Sequence, residues 1–304
     1  MERTESMLAQ TRPPGVADAD PGSVLLPGHD VPLGRYTTVR RLLPQRPRRM
    51  VGAWCFVDHF GPDDVAQRPG MEVPPHPHTG LQTVTWLLDG EIIHRDSLGS
   101  VQAIRPGQLN VMTSGRGIAH SERSPAVHPP VMHGVQLWVA LPDPARAGAA
   151  DFAHHADLPR WRDGELDVTL LVGELAGERS PAVVHTPLMG AQLELGGTAP
   201  TTLPLRPDFE YALLAMNGSA EAAGVGFEPG ARLLLLGGTP FDEPLVMWWN
   251  FVGRSHEEVA EAREDWMAGR RFGVVADDPA PPLPAPALPT TRLKARDRTG
   301  DLHG

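Results

Sequence analysis

Pro74-Pro75-His76-Pro77-His78-Thr79-Gly80 and, further along, Ser114-Gly115-Arg116-Gly117-Ile118-Ala119-His120-Ser121-Glu122 flank the segment from which the architecture can be inferred. Residues one apart on a strand face the same way, so His76 with His78, and His120 with Glu122, can each aim two side chains at one point. Between the pairs lie strand-like runs broken by turns: Thr83 to Leu88, Asp89-Gly90, Glu91 to His94, Leu98-Gly99, Val101 to Ile104 and Arg105-Pro106-Gly107. An antiparallel meander folding back into a small barrel would bring the pairs together across its interior. Three imidazoles and one carboxylate there make a site for a divalent transition metal, with iron, manganese, nickel, copper and zinc all compatible. With 13 His in 304 residues, His-x-His alone is weak, so the order of pair, Pro-Gly turn, Gly-rich turn and second pair carries the weight. The competing readings are an exposed Pro-rich loop for His76 and His78, and a surface carboxylate beside Arg123 for Glu122.

That order is the two-part motif of the cupin barrel. The text Pro75-His76-Pro77-His78-Thr79-Gly80, His94-Arg95-Asp96-Ser97-Leu98-Gly99 and Met112 to Glu122 resembles the pirin family of bicupins, over roughly residues 30 to 275. The resemblance implies an all-β fold of two tandem antiparallel barrels followed by a C-terminal helix, with one metal in the N-terminal barrel. It implies His76, His78, His120 and Glu122 as ligands, iron as the first candidate ion, and Glu122 also as the base that takes a flavonol proton. Some pirins are quercetin 2,3-dioxygenases, which act on a small aromatic substrate. Others are metal-dependent regulators that work through protein partners in transcription or metabolism. A third reading, a purely structural ion, would leave no coordination position open.

Where many cupins and pirins carry Glu four residues after the second His, this chain has Gln82. An amide is a poor ligand and cannot act as a base, so Glu122 must serve both needs, and Gln82 is expected to face the pocket and donate to a substrate or water. His94, a second pocket candidate, and Asp96 can orient ligands from behind, against the alternative of a structural histidine. His59, in Asp58-His59-Phe60-Gly61-Pro62, reads as a turn histidine bonded to backbone, since no partner lies at ligand spacing.

A formal net charge of -10 disfavours a phosphate backbone as partner. Cys55 is the single cysteine, which excludes an intrachain disulfide and agrees with a reducing, cytoplasmic setting. No apolar run suits a signal peptide or a membrane span. Residues 1–28 read as a disordered arm, 29–145 as the metal-binding barrel, 146–276 as a second barrel without metal plus the helix, and 277–304 as a disordered Pro-rich tail. Asp89-Gly90 against Asn217-Gly218, and Pro106-Gly107 against Pro229-Gly230, align the halves as a duplication. In that alignment Pro204 and Arg206 replace His76 and His78, while Glu243 and Leu245 replace His120 and Glu122. Ser255-His256-Glu257-Glu258 reads as a capping box opening a helix to about Ala268.

Overall fold

The computed structural model describes residues 25–34, 36–198, 201–217, 228–299 and 302–303. Most of the expected N-terminal arm, and Gly218 of the proposed duplicated turn, lie outside them. The chain is mostly β. Its first part runs β1 (His29–Leu33), β2 (Thr37–Leu43), β3 (Trp54–Asp64), β4 (Glu72–His78), β5 (Leu81–Asp89), β6 (Ile92–Asp96), β7 (Val101–Ile104), β8 (Leu109–Thr113), β9 (Ile118–Arg123), β10 (Val131–Ala140), the short α1 (Asp143–Arg146) and β11 (Asp151–His155). These form a seven-stranded sheet, β1-β2-β3-β10-β5-β8-β11, and a four-stranded sheet, β4-β9-β6-β7. Strand β11, assigned by the sequence to the second barrel, pairs with β8 from Asp151↔Thr113 to His155↔Leu109. The sheet therefore runs past the expected boundary at 145.

The later part contains β12 (Arg160–Asp163), β13 (Leu166–Val172), the hairpin β14 (Glu174–Leu175) and β15 (Glu178–Arg179), β16 (Leu188–Leu195), β17 (Glu210–Asn217), β18 (Arg232–Gly238), and a second hairpin, β19 (Val246–Trp248) and β20 (Phe251–Gly253). Strands β12-β13-β16-β18-β17 make a five-stranded sheet. Arg206 lies outside any strand and is ion-paired with Asp208, and Glu243 is paired with Arg254. Among the described residues neither belongs to a group of three or more side chains that could hold an ion. The helix α2 (His256–Met267) starts where expected: Ser255 Oγ accepts from Glu258 N–H, although the Glu258 carboxylate reaches back to Arg254 N–H and not to Ser255. Among the described residues no helix is long and apolar enough to cross a membrane.

Two apolar clusters position the site. One, with Phe60, Met71, Val73, Leu87, Ile92 and Ile104, fills the space between the seven- and four-stranded sheets. The larger one joins the two parts of the chain, with Trp54, Val84, Trp86 and Leu137 against Leu171, Leu234 and Leu236. Polar anchors reinforce that seam: Trp54 Nε1–H faces the carbonyls of Met189 and Gly237 at 3.2 Å each, and Trp86 Nε1–H donates to Gln192 Oε1 at 2.8 Å. Cys55 is fully buried here, and burial pushes its thiol up to about 12, out of the reactive range.

The Pro-rich segment after 277 differs from the disorder expected of its composition. Asp278 is ion-paired with Arg123 at 2.9 Å, Leu283 N–H donates to Pro75 carbonyl at 2.8 Å, and Trp266 Nε1–H donates to Leu283 carbonyl at 2.8 Å. Further on, Leu245 and Arg296 exchange backbone bonds at 2.8 and 3.0 Å. The segment is thus laid along the edge of β4 and against α2, supplying partners that an edge strand otherwise lacks.

Candidate metal centre

Strand pairing places the site. In β4 and β9, His76 stands opposite His120 and His78 opposite Ile118; in β6 and β9, His94 stands opposite Glu122 and Asp96 opposite His120. Residues opposite one another share a face, as do residues two apart. All six side chains therefore rise from one face of the four-stranded sheet. Gly80, at φ +69°, allows the tight turn out of β4: a Cβ there would lie 2.2 Å from the Val252 carbonyl, so the turn needs glycine.

The donor atoms of His76, His78 and His120 lie within 4.8 Å of one another, and those of His94, His120 and Glu122 form a second such group. His120 belongs to both. The sequence expectation of one four-residue cluster thus resolves into two overlapping triads, with Glu122 grouped beside His94. All are buried: His78 and His120 are 1% exposed, Glu122 5% and His76 7%.

Hydrogen bonds orient the rings. His76 Nδ1 lies 2.8 Å from Pro74 carbonyl, an acceptor, so this nitrogen carries the proton and Nε2 keeps its lone pair. His78 Nε2 and His120 Nε2 are 3.0 Å apart. Two nitrogens ~2.1 Å from one ion at a right angle would be ~3.0 Å apart, so this spacing fits donors shared by a single cation. His94 Nδ1 is 3.4 Å from His120 Nδ1, and His94 Nε2 is 3.1 Å from Asp96 Oδ2. The opposite sheet adds the Thr85 hydroxyl, 3.3 Å from Glu122 Oε1 and 2.8 Å from Gln136 Oε1, and the Trp138 ring, edge-on to His78 at 5.2 Å. Phe152 stacks on His94 at 4.3 Å.

Burial holds His76 down to about 4. His78 and His120 lie well below the ordinary histidine range, through burial and then the neighbouring imidazoles. Neutral imidazoles with inward lone pairs are the form that binds metal. Burial raises the Glu122 carboxyl, partly countered by His94 and Thr85.

Gln82 departs from the expectation. Its Nε2 donates to Thr113 Oγ1 at 2.9 Å and to Val183 carbonyl at 3.0 Å, on the β5 face that carries Val84 and Trp86. Thr85 points the other way, to Glu122. The period of two along β5 therefore takes Gln82 to the seam between the parts of the chain, not to the metal face. His59 is in a strand, and its partner is a side chain: Nε2 lies 2.9 Å from His133 Nε2, which also faces Met216 carbonyl at 3.2 Å. Sequence reasoning missed Thr85, Gln136, Trp138 and Phe152. A threonine inside the apolar run Val84 to Leu88 was the available signal for Thr85.

A mostly β chain with a cupin fold and histidines crowded on paired strands defines a class, and family comparison agrees. Residues 36–139 match the model for Pirin, and 210–273 match that for the Pirin C-terminal cupin domain. The chain belongs to the pirin family. It is 47% identical over 277 residues to a Pseudomonas aeruginosa protein named as a putative quercetin 2,3-dioxygenase, covering 84% of this chain and 88% of that one. It is 39% identical over 258 residues to a pirin-like protein of Caulobacter vibrioides, covering 76% and 88%. The crystal structure of quercetin 2,3-dioxygenase from Acinetobacter baumannii superposes with a TM-score of 0.83 at 42% identity, covering 88% of this chain and 96% of that one.

Proposed function

We propose that this protein is a metal-dependent pirin that opens the ring of a flavonol, as a quercetin 2,3-dioxygenase, with His76, His78, His120 and Glu122 as the ligands of one divalent ion. Iron leads, with manganese, nickel, copper and zinc as alternatives. The single observation that carries the reading is the convergence of three neutral imidazoles within 4.8 Å on a buried sheet face. In this reading the two sets of sheets are tandem cupin barrels, of which only the N-terminal one holds metal. A bound ion would supply Lewis acidity toward an enol hydroxyl and electron transfer to dioxygen. The chain's own part is to position and to move a proton. Glu122, its proton affinity raised by burial, accepts the flavonol hydroxyl proton, and the Thr85 hydroxyl steadies Oε1. Trp138, edge-on to His78, excludes water from one side of the site.

The burial of the four groups, none more than 7% exposed, favours one further reading, a non-catalytic regulator in which the ion shapes a surface for protein partners. Oxygen uptake separates the two. Protein loaded anaerobically with each metal and mixed with quercetin is expected to consume dioxygen with at least one; no uptake with any metal overturns the dioxygenase and leaves the regulator. His78→Ala is expected to lower bound metal by elemental analysis, and Arg206→Ala to leave it unchanged.

A further inference from the structure

Behind the candidate ligands lies a row of buried polar groups that metal binding alone does not require. Asp96, 2% exposed, is enclosed on β6 and its turn: Oδ1 accepts from Leu98 N–H at 2.9 Å and from Ser100 N–H at 3.0 Å, and Oδ2 lies 3.1 Å from His94 Nε2. His94, also 2% exposed, is fixed in plane by its stack on Phe152, with an interplanar angle of 11°. Its other nitrogen, Nδ1, faces His120 Nδ1 at 3.4 Å.

We infer that Asp96 and His94 are positioning residues that set the tautomer of His120 through two consecutive imidazole contacts. This deepens the proposed metal site and rests on it. An ionised carboxylate only accepts, so a neutral His94 places its one proton on Nε2, which leaves Nδ1 as an acceptor. His120 must then carry its proton on Nδ1 to donate to His94. Its Nε2 lone pair is thereby directed inward, toward His78 Nε2 and the centre. Reversing the polarity at Asp96 would reverse every member of the row.

The isosteric Asp96→Asn does this without disturbing packing. Leu98 and Ser100 both donate to the Oδ1 position, so the amide oxygen is held there and the NH2 group takes the place of Oδ2, facing His94 as a donor. His94 then keeps its lone pair on Nε2 and its proton on Nδ1, and His120 is driven to protonate Nε2, the atom that should bind metal. The analogous replacement in an Asp-His-Ser triad acts through the same wrong tautomer. His94→Phe cuts the row instead: it preserves the stack on Phe152 and leaves His120 free to adopt either tautomer.

The test has two readouts on the full chain. First, nitrogen and carbon NMR shifts of His120 in chelated protein near neutral pH report which nitrogen is protonated: Nδ1 is expected in the wild type and Nε2 in Asp96→Asn. Second, nickel(II) affinity measured by calorimetry is expected to fall by about 10- to 100-fold in Asp96→Asn, and by less in His94→Phe. A merely structural role gives the opposite order, because losing the imidazole strands a buried carboxylate whereas Asp to Asn barely changes shape. An unchanged His120 tautomer in Asp96→Asn, or a larger loss in His94→Phe, overturns the inference. Wild-type protein that binds no metal but shows the expected tautomers would refute the metal reading and uphold the row.

Discussion

Acidification from about pH 8 to about pH 5 is expected to weaken the metal-free protein steeply, and the cause is legible residue by residue. His59 and His76 are each pushed down to about 4 by burial; His78 and His120 fall well below the ordinary value, and His133 is lowered as well. An imidazole kept neutral by the fold but free to protonate near 6.5 when unfolded makes the unfolded chain the better proton acceptor between those values. The stability it contributes is complete above about pH 6.5 and drains as the pH falls toward 4. For His76, at about 1.4 kcal/mol per pH unit, the loss by pH 5 is about 2 kcal/mol. The partly exposed His59 adds about 1 kcal/mol after screening. His78 and His120 are shifted in the same direction and add to this loss, which is set against the about 5–15 kcal/mol typical of a fold. Buried carboxyls oppose this. Glu122 and Asp58 are raised by burial, so they favour the folded chain at low pH and penalise it as the pH rises. Two such groups offset only part of the effect of five imidazoles. Urea denaturation of chelated protein at stepped pH measures the slope, and repeating it with excess nickel(II) should shift the loss to lower pH, because a bound ion demands neutral rings. A urea midpoint that stays constant between about pH 8 and pH 5 would refute the burial on which the argument depends.

Two further predictions test the packing around the site. The Arg123–Asp278 pair should be asymmetric: Arg123→Ala leaves Asp278, 1% exposed at its side chain, without its cation and should cost about 3–5 kcal/mol, whereas Asp278→Ala leaves Arg123 still paired with Glu72 at 3.3 Å and should cost clearly less in thermal or urea melts. Gly52→Ala should cost more than about 1 kcal/mol, since the residue sits at φ +51° and a Cβ would lie 2.7 Å from Gly238 Cα; unchanged stability would show that the seam between the two parts of the chain is looser than this contact implies.

The ligand face could be read from the sequence because its signal is local. His76 with His78 and His120 with Glu122 need only the period of two, and the glycines at Gly80 and Gly115 mark the turns that begin or precede each return. The side of β5 could not be read in the same way. Leu81 to Leu88 are buried without exception, so the strand lacks the alternation that tells one face from the other, and the expectation fell on Gln82 while Thr85 is the residue that faces the site. Only long-range partners decide: Val183 and Gln192 lie on one side, Glu122 on the other. The same holds for β11, whose place beside β8 rests on a pairing between segments far apart in the chain. The Pro-rich C-terminal segment escaped for a different reason. Composition measures how little apolar surface a segment can bury, and by that measure 277–304 belongs with disordered tails. Yet a run such as Pro281-Pro282-Leu283-Pro284 has little backbone freedom to lose, so a few spaced anchors suffice to hold it. Asp278 on Arg123, Leu283 on Pro75 and Arg292 on Glu257 are such anchors, and each requires a partner that the segment's own sequence does not reveal. Because Pro75 and Arg123 adjoin His76 and Glu122, the segment that looked most dispensable braces both strands that carry the candidate ligands.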